Sequence, residues 1–595
     1  MQMRILHILH FMTLGLAVTV GDIAAAFAQG ADAAQTRGGT STSMGSESVH
    51  KHHEMPSQSR ANDQAAPKLL NLGSHTFPAS TRNKTAQRYM NQGLNLSYAF
   101  NHAEAGRAFR EAARLDPSLA MAYWGQALVL GPNINAPMEA KNEAPALEFV
   151  HKAASLAAGA SPRERALISA LEKRYTGSAE QRKANDKAYA DAMRDTHQRF
   201  PNDPDIAMLY VESMMDTSPW GYWMRDGYPR EGTAEIVALT EDVLRRNPRH
   251  PGATHMYIHL VEPTSTPERA EKAADTLLTL MPDAGHVIHM PSHIYLRVGR
   301  YDDAIKSNQR AIAADERYLA QQREQGHGHG FYSMAYYPHN IHFLWAAATA
   351  DGQSRLAIES ARRSASMIDD AVLKEMPMTA VFRVVPYWAL ARFGKWDEIL
   401  RQPAPPATNA FLKGGWHYVR GLAFAAKRQL PQAEQELKAL REIMNKEALD
   451  WTLLSPNTAR GVLSIGPEVL AGEIAAAHGQ FDSAIAHLDR AVRLEDALAY
   501  TEPPEWQAPP RLILGAILLE AGHPAEAETV YWEDLRRNRN NGWALYGLLQ
   551  ALRAQGKDER AAPIEERFKK AWARADVKLG ASRFGCVAAT TSMAP

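Results

Sequence analysis

The chain has 595 residues, 45% apolar and 22% charged, with Lys+Arg and Asp+Glu equal at 66 each. This is the composition of a globular chain, long enough for several domains or one repeat array, and it excludes global disorder. A formal charge of zero argues against a nucleic-acid binder, and the single cysteine, Cys586, excludes an internal disulfide and any cysteine-based zinc or iron–sulfur site.

Residues 1–28 read as an export signal. Arg4 gives a positive start, Phe11 to Val20 is an apolar run too short to span a bilayer, and Ala26-Phe27-Ala28 is a small-x-small cleavage site. The expected mature start is near Gln29, in a periplasm or outside the cell. Residues 29–67, rich in Ala, Gly, Ser, Thr and Gln, read as a disordered linker. Within it, His50-Lys51-His52-His53-Glu54 reads as a solvated tail, because a flexible cluster bears the full ordering cost of holding an ion. No later stretch is apolar enough to cross a membrane.

From about residue 84 the pattern is helical almost throughout, with apolar residues three and four apart and short Gly, Asn, Asp or Pro breaks. The segment also resembles itself. Asn101-His102-Ala103-Glu104-Ala105, followed by Phe109, Ala112 and Asp116-Pro117, has a counterpart in Gly299-Arg300-Tyr301-Asp302-Asp303-Ala304. Gly479-Gln480-Phe481-Asp482-Ser483-Ala484 and Gly522-His523-Pro524-Ala525-Glu526-Ala527 repeat it. Each reads as a helix end, a tight turn, and a helix with small residues where a neighbour must approach closely.

These phrases resemble the tetratricopeptide repeat (TPR), a helix–turn–helix unit of 34 residues, over roughly residues 84–575. The resemblance implies an all-α, TPR-like α-solenoid with inserted loops near 131–165, at Trp220-Gly221-Tyr222-Trp223, and around 316–337. The chain is also similar to a group of exported bacterial TPR proteins in Ala120-Met121-Ala122-Tyr123-Trp124-Gly125, His289-Met290-Pro291-Ser292-His293-Ile294 and Glu502-Pro503-Pro504-Glu505-Trp506. That likeness implies fold and no activity. The expected division is 68–250, 251–370 and 371–580 as N-terminal, His-rich central and C-terminal repeats, with a tail at 581–595.

Ten of the 23 histidines fall between residues 250 and 342, where even spacing would place about four. His255 and His259 are i,i+4, with Glu262 three further on. His286, His289 and His293 are i, i+3 and i+7; His339 and His342 are i,i+3. On a helix each set shares one face, and imidazoles at such spacing can chelate one ion. With Pro251 as repeat position 1, and Gly299 and Gly352 as position 15, these residues occupy positions 2, 5, 9 and 12. The TPR resemblance implies that those positions face the concave groove. Pro291, inside the second helix, is expected to kink it and to re-aim His286 and His289 relative to His293. Trp345 stands at a normally small position.

The predicted metal set is therefore His255, His259, Glu262, His286, His289, His293, His339 and His342. It suits zinc or copper, with iron or nickel compatible, and not calcium or magnesium. Glu262 reads as a ligand, as a partner orienting an imidazole, or as a general base. Arg297 is a candidate for an anionic substrate group. Glu502 and Glu505, amid Pro and Trp506, read as a plain inter-repeat connection or as a rigid loop folding toward the groove, and the aromatics at 220–228 as the packed interior of an insertion or as a lid over the groove. Phosphate-loop, nucleophile-elbow, haem-attachment and dinucleotide motifs are missing from the sequence. Three functions follow: a binding protein holding a transition metal in a His-lined groove; a hydrolytic or oxidative metalloenzyme using that site; and a metal-free scaffold for a peptide or protein partner.

Overall fold

The structure is a computed structural model that describes residues 66, 69, 71–325, 330–453, 456–506 and 508–585. The signal segment, the His50–Glu54 cluster, residues 326–329 and Cys586 lie outside the described residues. Among the described residues no sheet forms; the extended backbone amounts to three isolated bridges.

Eight helix ends share one turn. At Phe100, Gly299, Gly352, Gly394, Arg428, Gly479, Gly522 and Gly556 the backbone enters the left-handed region, with φ between 54° and 82°. The next residue then donates its N–H back to the carbonyl five positions earlier. Asn101 to Leu96, Arg300 to Tyr295, Gln353 to Ala348, Lys395 to Leu390, Gln429 to Phe424, Gln480 to Ala475, His523 to Leu518 and Lys557 to Leu552 are all 2.8–3.0 Å. This pattern satisfies the orphan carbonyls at a helix end and reverses the chain within three residues. Glycine fills six of the eight sites because it has no Cβ to clash at positive φ. At Gly299 the requirement is doubled, since a Cβ there would also stand 2.0 Å from the carbonyl oxygen of Arg539.

Among the described residues these turns join eight of the twelve successive packed helix pairs, and longer connections join the other four. In order the pairs are Lys84–Tyr98 with His102–Leu115, Ala120–Leu128 with Glu143–Ser155, Pro162–Leu171 with Arg182–Arg199, and Pro204–Asp216 with Thr233–Arg246. Pro251–Val261 with Glu271–Leu277, Pro291–Val298 with Tyr301–Glu324, and Tyr336–Ala350 with Ser354–Ser366 form the centre. Val385–Arg392 with Trp396–Leu400, Ala410–Ala426 with Leu430–Lys446, Ile465–Ala477 with Phe481–Asp496, Pro510–Glu520 with Pro524–Arg537, and Gly542–Ala554 with Asp558–Ala571 complete the series. Each pair also packs on the next, so one hydrophobic core runs the length of the array. This is the TPR-like, all-α architecture expected from the repeat phrases.

The array curls back on itself through direct contact between distant pairs. Trp543 donates its indole N–H to the Thr349 carbonyl (3.2 Å), Tyr301 its hydroxyl to the Arg539 carbonyl (2.9 Å), and the Arg574 guanidinium pairs with Asp351 (2.6 Å). At the other end, the first helix packs on Pro251–Val261. Gly252 permits this approach, because a Cβ there would lie 2.8 Å from the Tyr98 ring. The two ends of the chain therefore close around the His-rich centre.

Pro291 interrupts its helix without turning it. Gly285–His289 and Pro291–Val298 are joined by Met290, which keeps right-handed helical angles of −50° and −38°. Pro291 thus stands at the first position of a new helical segment, where its missing N–H costs least.

Candidate metal centre

The helix Pro251–Val261 begins at His250, whose ring Nδ1 accepts the Ala253 N–H (3.1 Å) and caps it. Every residue of the helix is buried. His255 and His259 point the same way one turn apart, with Nε2 atoms 3.1 Å from each other. On the neighbouring helix His289 and His293 do the same, with Nε2 atoms 2.7 Å apart. Pro291 does not re-aim His289 relative to His293, because the backbone stays helical through Met290.

What holds the outer nitrogens decides the chemistry of the inner ones. His255 Nδ1 lies 2.6 Å from the Tyr98 carbonyl oxygen, which can only accept. His289 Nδ1 lies 2.6 Å from Asn308 Oδ1, and that amide is oriented by its own Nδ2 donating to the Ala304 carbonyl (2.8 Å). His259 Nδ1 donates to Glu262 Oε1 (2.9 Å), and His293 Nδ1 to Glu262 Oε2 (2.7 Å). Where the imidazole is neutral, as at His255, His259 and His289, it carries its proton on Nδ1 and presents the Nε2 lone pair inward; His293, held charged by Glu502 and Glu262, keeps a proton on Nε2 that faces the His289 lone pair until an ion displaces it. Two lone pairs facing each other at hydrogen-bond distance repel, unless a proton or a cation lies between them.

Two further imidazoles complete two groups of three. His286 joins His255 and His259, and His339 joins His289 and His293; within each group one ligand atom per residue lies within 4.8 Å of the others. Both ring nitrogens of His286 are buried without a hydrogen-bond partner, an uncommon and costly state. Its ring stands 5.0 Å from that of His255, and the ring of His339 stands 4.8 Å from that of His289.

Glu262 stands between the groups, behind the imidazoles rather than among the inward nitrogens. From there it can orient both rings, and with His259, His293 and Glu502 it also makes a third group whose ligand atoms lie within 4.8 Å of one another, so the ligand role stays open beside the orienting one. Its backbone carbonyl accepts Arg297 Nε (3.0 Å), and Thr264 O accepts Arg297 Nη2 (2.8 Å). Arg297 thus caps the helix end that carries Glu262, which uses two of its five N–H donors. Tyr500 donates its hydroxyl to Glu262 Oε2 (3.1 Å).

Glu502 reaches the same place from a loop far along the chain and contacts His293 Nδ1. Of the two readings the Glu502-Pro503-Pro504 phrase allows, the loop that folds toward the histidines is the one found; no local pattern tells where such a loop lands. Burial and the Glu262 charge push the Glu502 carboxyl well above the usual range. Burial also works to raise Glu262, but His293 and the hydrogen bonds from Glu502, His259 and His293 hold it well below that range. Burial opposes charge on His293 as well, yet Glu502 and Glu262 raise it to about 10. Burial, helped by neighbouring imidazoles, depresses His255, His286, His289 and His339 and keeps them neutral.

His342 does not join either group. Its ring stacks on Trp345 (5.2 Å, 11°) and meets Phe382 edge-on, and it is buried there as a packing residue. The i,i+3 step from His339 spans enough angle for the two rings to leave the helix on different sides of the core.

The expected open groove is also revised. His255, His259, His286, His289 and His293 are at most 2% exposed. Phe100 covers His255, Trp220 meets His259 edge-on at 5.1 Å, Tyr336 lies 4.4 Å from His286, and Phe343 stacks on His293 at 4.6 Å. The 220–228 insertion therefore acts as a wall of the centre, and Trp223 pins it by donating to the Leu260 carbonyl (2.7 Å).

A fourth cluster, His75, Asp205 and His250, was not foreseen. Asp205 Oδ1 accepts from His75 (2.8 Å), from His250 (3.2 Å) and from the Tyr98 hydroxyl (2.9 Å). Both nitrogens of His250 are engaged by these bonds and by its cap. The cluster ties the segment before the first helix to Pro204–Asp216 and Pro251–Val261, which is a packing role.

No family model matches the chain, and no curated protein matches it. Among solved structures, a human IFIT1 dimer with PPP-AAAA is similar at 12% identity over 84% of this chain and 92% of that one, with a TM-score of 0.30. The APC/C hetero-tetramer Cut9–Hcn1 gives 12% identity over 78% and 76%, with a TM-score of 0.30, and yeast Tom70 gives 12% over 82% and 93%, with a TM-score of 0.24. The TPR-like description of this chain stands on its own helix pairs and turns.

Proposed function

We propose that this chain is a TPR-like scaffold that binds transition metal in its buried centre, one ion in each three-histidine group, in the service of metal handling or a metal-dependent interaction. The observation that carries this reading is the pair of facing Nε2 atoms, 3.1 Å apart in His255–His259 and 2.7 Å apart in His289–His293. Two nitrogens bound to one ion at about 2.0–2.1 Å lie about 2.8–3.4 Å from each other for angles between a right angle and tetrahedral. The first pair falls in that window and the second just under it. Imidazole-only donors favour copper or zinc over iron among the metals the sequence allows.

A second reading is a metalloenzyme. It is favoured by the donor count, since three imidazoles leave one position of a tetrahedral ion open. The burial of the histidines argues against using this face for a peptide, so a protein or peptide partner, if there is one, docks elsewhere on the array. The same proposal has the protein exported, on the strength of Arg4, the ten-residue apolar run and Ala26-Phe27-Ala28.

Elemental analysis of untagged protein from the native host tests the metal reading. Stoichiometric copper or zinc supports it, and protein that never retains metal after loading and desalting overturns it. A mass matching a start near Gln29 supports export; an intact Met1 on cytoplasmic material refutes it.

A further inference from the structure

A cavity lies against the helix Tyr336–Ala350, which contributes Trp345 and Thr349 to its wall. It holds about 690 Å³ of empty space, part of it open to solvent. Its walls are aromatic: Trp345, Trp388, Trp396, Tyr418, Trp506 and Phe584. Trp388, Tyr418 and Trp506 meet one another at tilted or edge angles, with centroids 5.1–5.6 Å apart, so they hold a fixed apolar surface rather than a mobile one.

Arg392 is set into this wall. The residue is 8% exposed, and its guanidinium lies 3.7 Å from the centre of the Trp543 ring. Among the described residues it has no carboxylate partner and no hydrogen-bond acceptor, and Asp534 acts on it only from a distance. The acid in the same wall, Glu473, is already neutralised by Arg583 (2.5 Å). Burial pulls the Arg392 pKa down, yet the guanidinium remains protonated at neutral pH. Two more donors line the cavity unused: the indole N–H groups of Trp345 and Trp388 are buried without a partner.

A buried cation with five N–H donors and no acceptor costs several kcal/mol unless something compensates it. One cation–π contact returns about 2 kcal/mol at best when desolvated. Water in the open part of the cavity can meet some of these donors; an anion that brings two acceptor oxygens to the fork of Arg392, and an apolar, flat body to the aromatic walls, compensates the charge more fully. We infer that this cavity is a binding site for a small aromatic carboxylate, with Arg392 gripping the carboxylate and Trp345 and Trp388 donating to it. The site is separate from the histidine centre and stands whether or not that centre holds metal.

Isothermal titration calorimetry of the full chain with benzoate and indole-3-acetate tests this, with benzamide and indole-3-acetamide as neutral controls of the same shape. At least one acid is expected to bind about tenfold or more tighter than its amide. Arg392→Met keeps the volume and removes the charge; it is expected to abolish that preference while leaving the melting temperature unchanged or higher, because an uncompensated buried charge is gone. Arg392→Lys should retain part of the preference. Trp388→Phe keeps an aromatic wall, though a smaller one, and removes one donor; it should weaken the acid several-fold and its amide less, which decides the matter if Arg392→Met fails to fold. Failure of both acids to bind, equal affinity for acid and amide, or binding untouched by Arg392→Met or, in its place, by Trp388→Phe overturns the proposal.

Discussion

His289 and His293 face each other across one helical turn with their Nε2 atoms 2.7 Å apart, while Asn308 and Glu262 hold their Nδ1 atoms from behind. The same arrangement recurs one helix away in His255 and His259, with the Tyr98 carbonyl and the other oxygen of Glu262 as the holders. One carboxylate thus orients an imidazole in each group.

Replacing His259 or His293 with Ala is expected to lower metal content by at least one ion per chain and to weaken retention against a competing chelator by about a hundredfold or more. Both side chains are buried, so each variant also leaves a cavity and melts earlier. Circular dichroism should still report the helical array. Metal content equal to wild type in both variants would remove these residues from the ligand set.

Glu262→Gln probes orientation separately from ligation. The amide can hold one imidazole as before but offers only one acceptor oxygen where the carboxylate offers two, so one ring loses its anchor. Metal should still bind, with affinity reduced about 10–100-fold. Competition titration reads the change; an unchanged affinity would show that Glu262 does not position the rings.

Stripping metal with a chelator should lower the melting temperature, and adding copper or zinc back should restore it. A ligand that binds only the folded chain adds about 2.7 kcal/mol when its free concentration is about a hundredfold above Kd. The shift should vanish in a His259→Ala, His293→Ala double variant. A melting temperature indifferent to metal in the wild type would argue against a site in the core.

His342 makes acid stability testable. Burial against Trp345 and Phe382 lowers its pKa from 6.5 to about 3. The unfolded chain therefore binds a proton between these values that the folded chain refuses, and stability falls as pH drops below 6.5 toward 3. The contribution is fully present above 6.5 and is lost at up to about 1.4 kcal/mol per pH unit. His342→Phe should flatten this part of the curve in urea melts taken from pH 7 to pH 4. It should leave metal content unchanged, since the ring belongs to neither group.

Local pattern was enough for the helices and for much of the centre. Glycine after an amphipathic run, as at Gly299, Gly352, Gly479 and Gly522, marks where a helix must end and reverse, because only the backbone three residues on either side is involved. The i,i+4 spacing of His255 with His259, and of His289 with His293, puts each pair on one face for the same local reason. Tertiary structure decided everything that depends on how pairs close on each other. It brought Glu502 and Tyr500 to Glu262 across some 240 residues, buried the histidines behind Phe100 and Trp220, and turned His342 into the core beside Trp345. It also left Arg392 among tryptophans with no acid to meet it. Such encounters are set by the summed rotation and curl of many packed pairs, which no short stretch of sequence encodes.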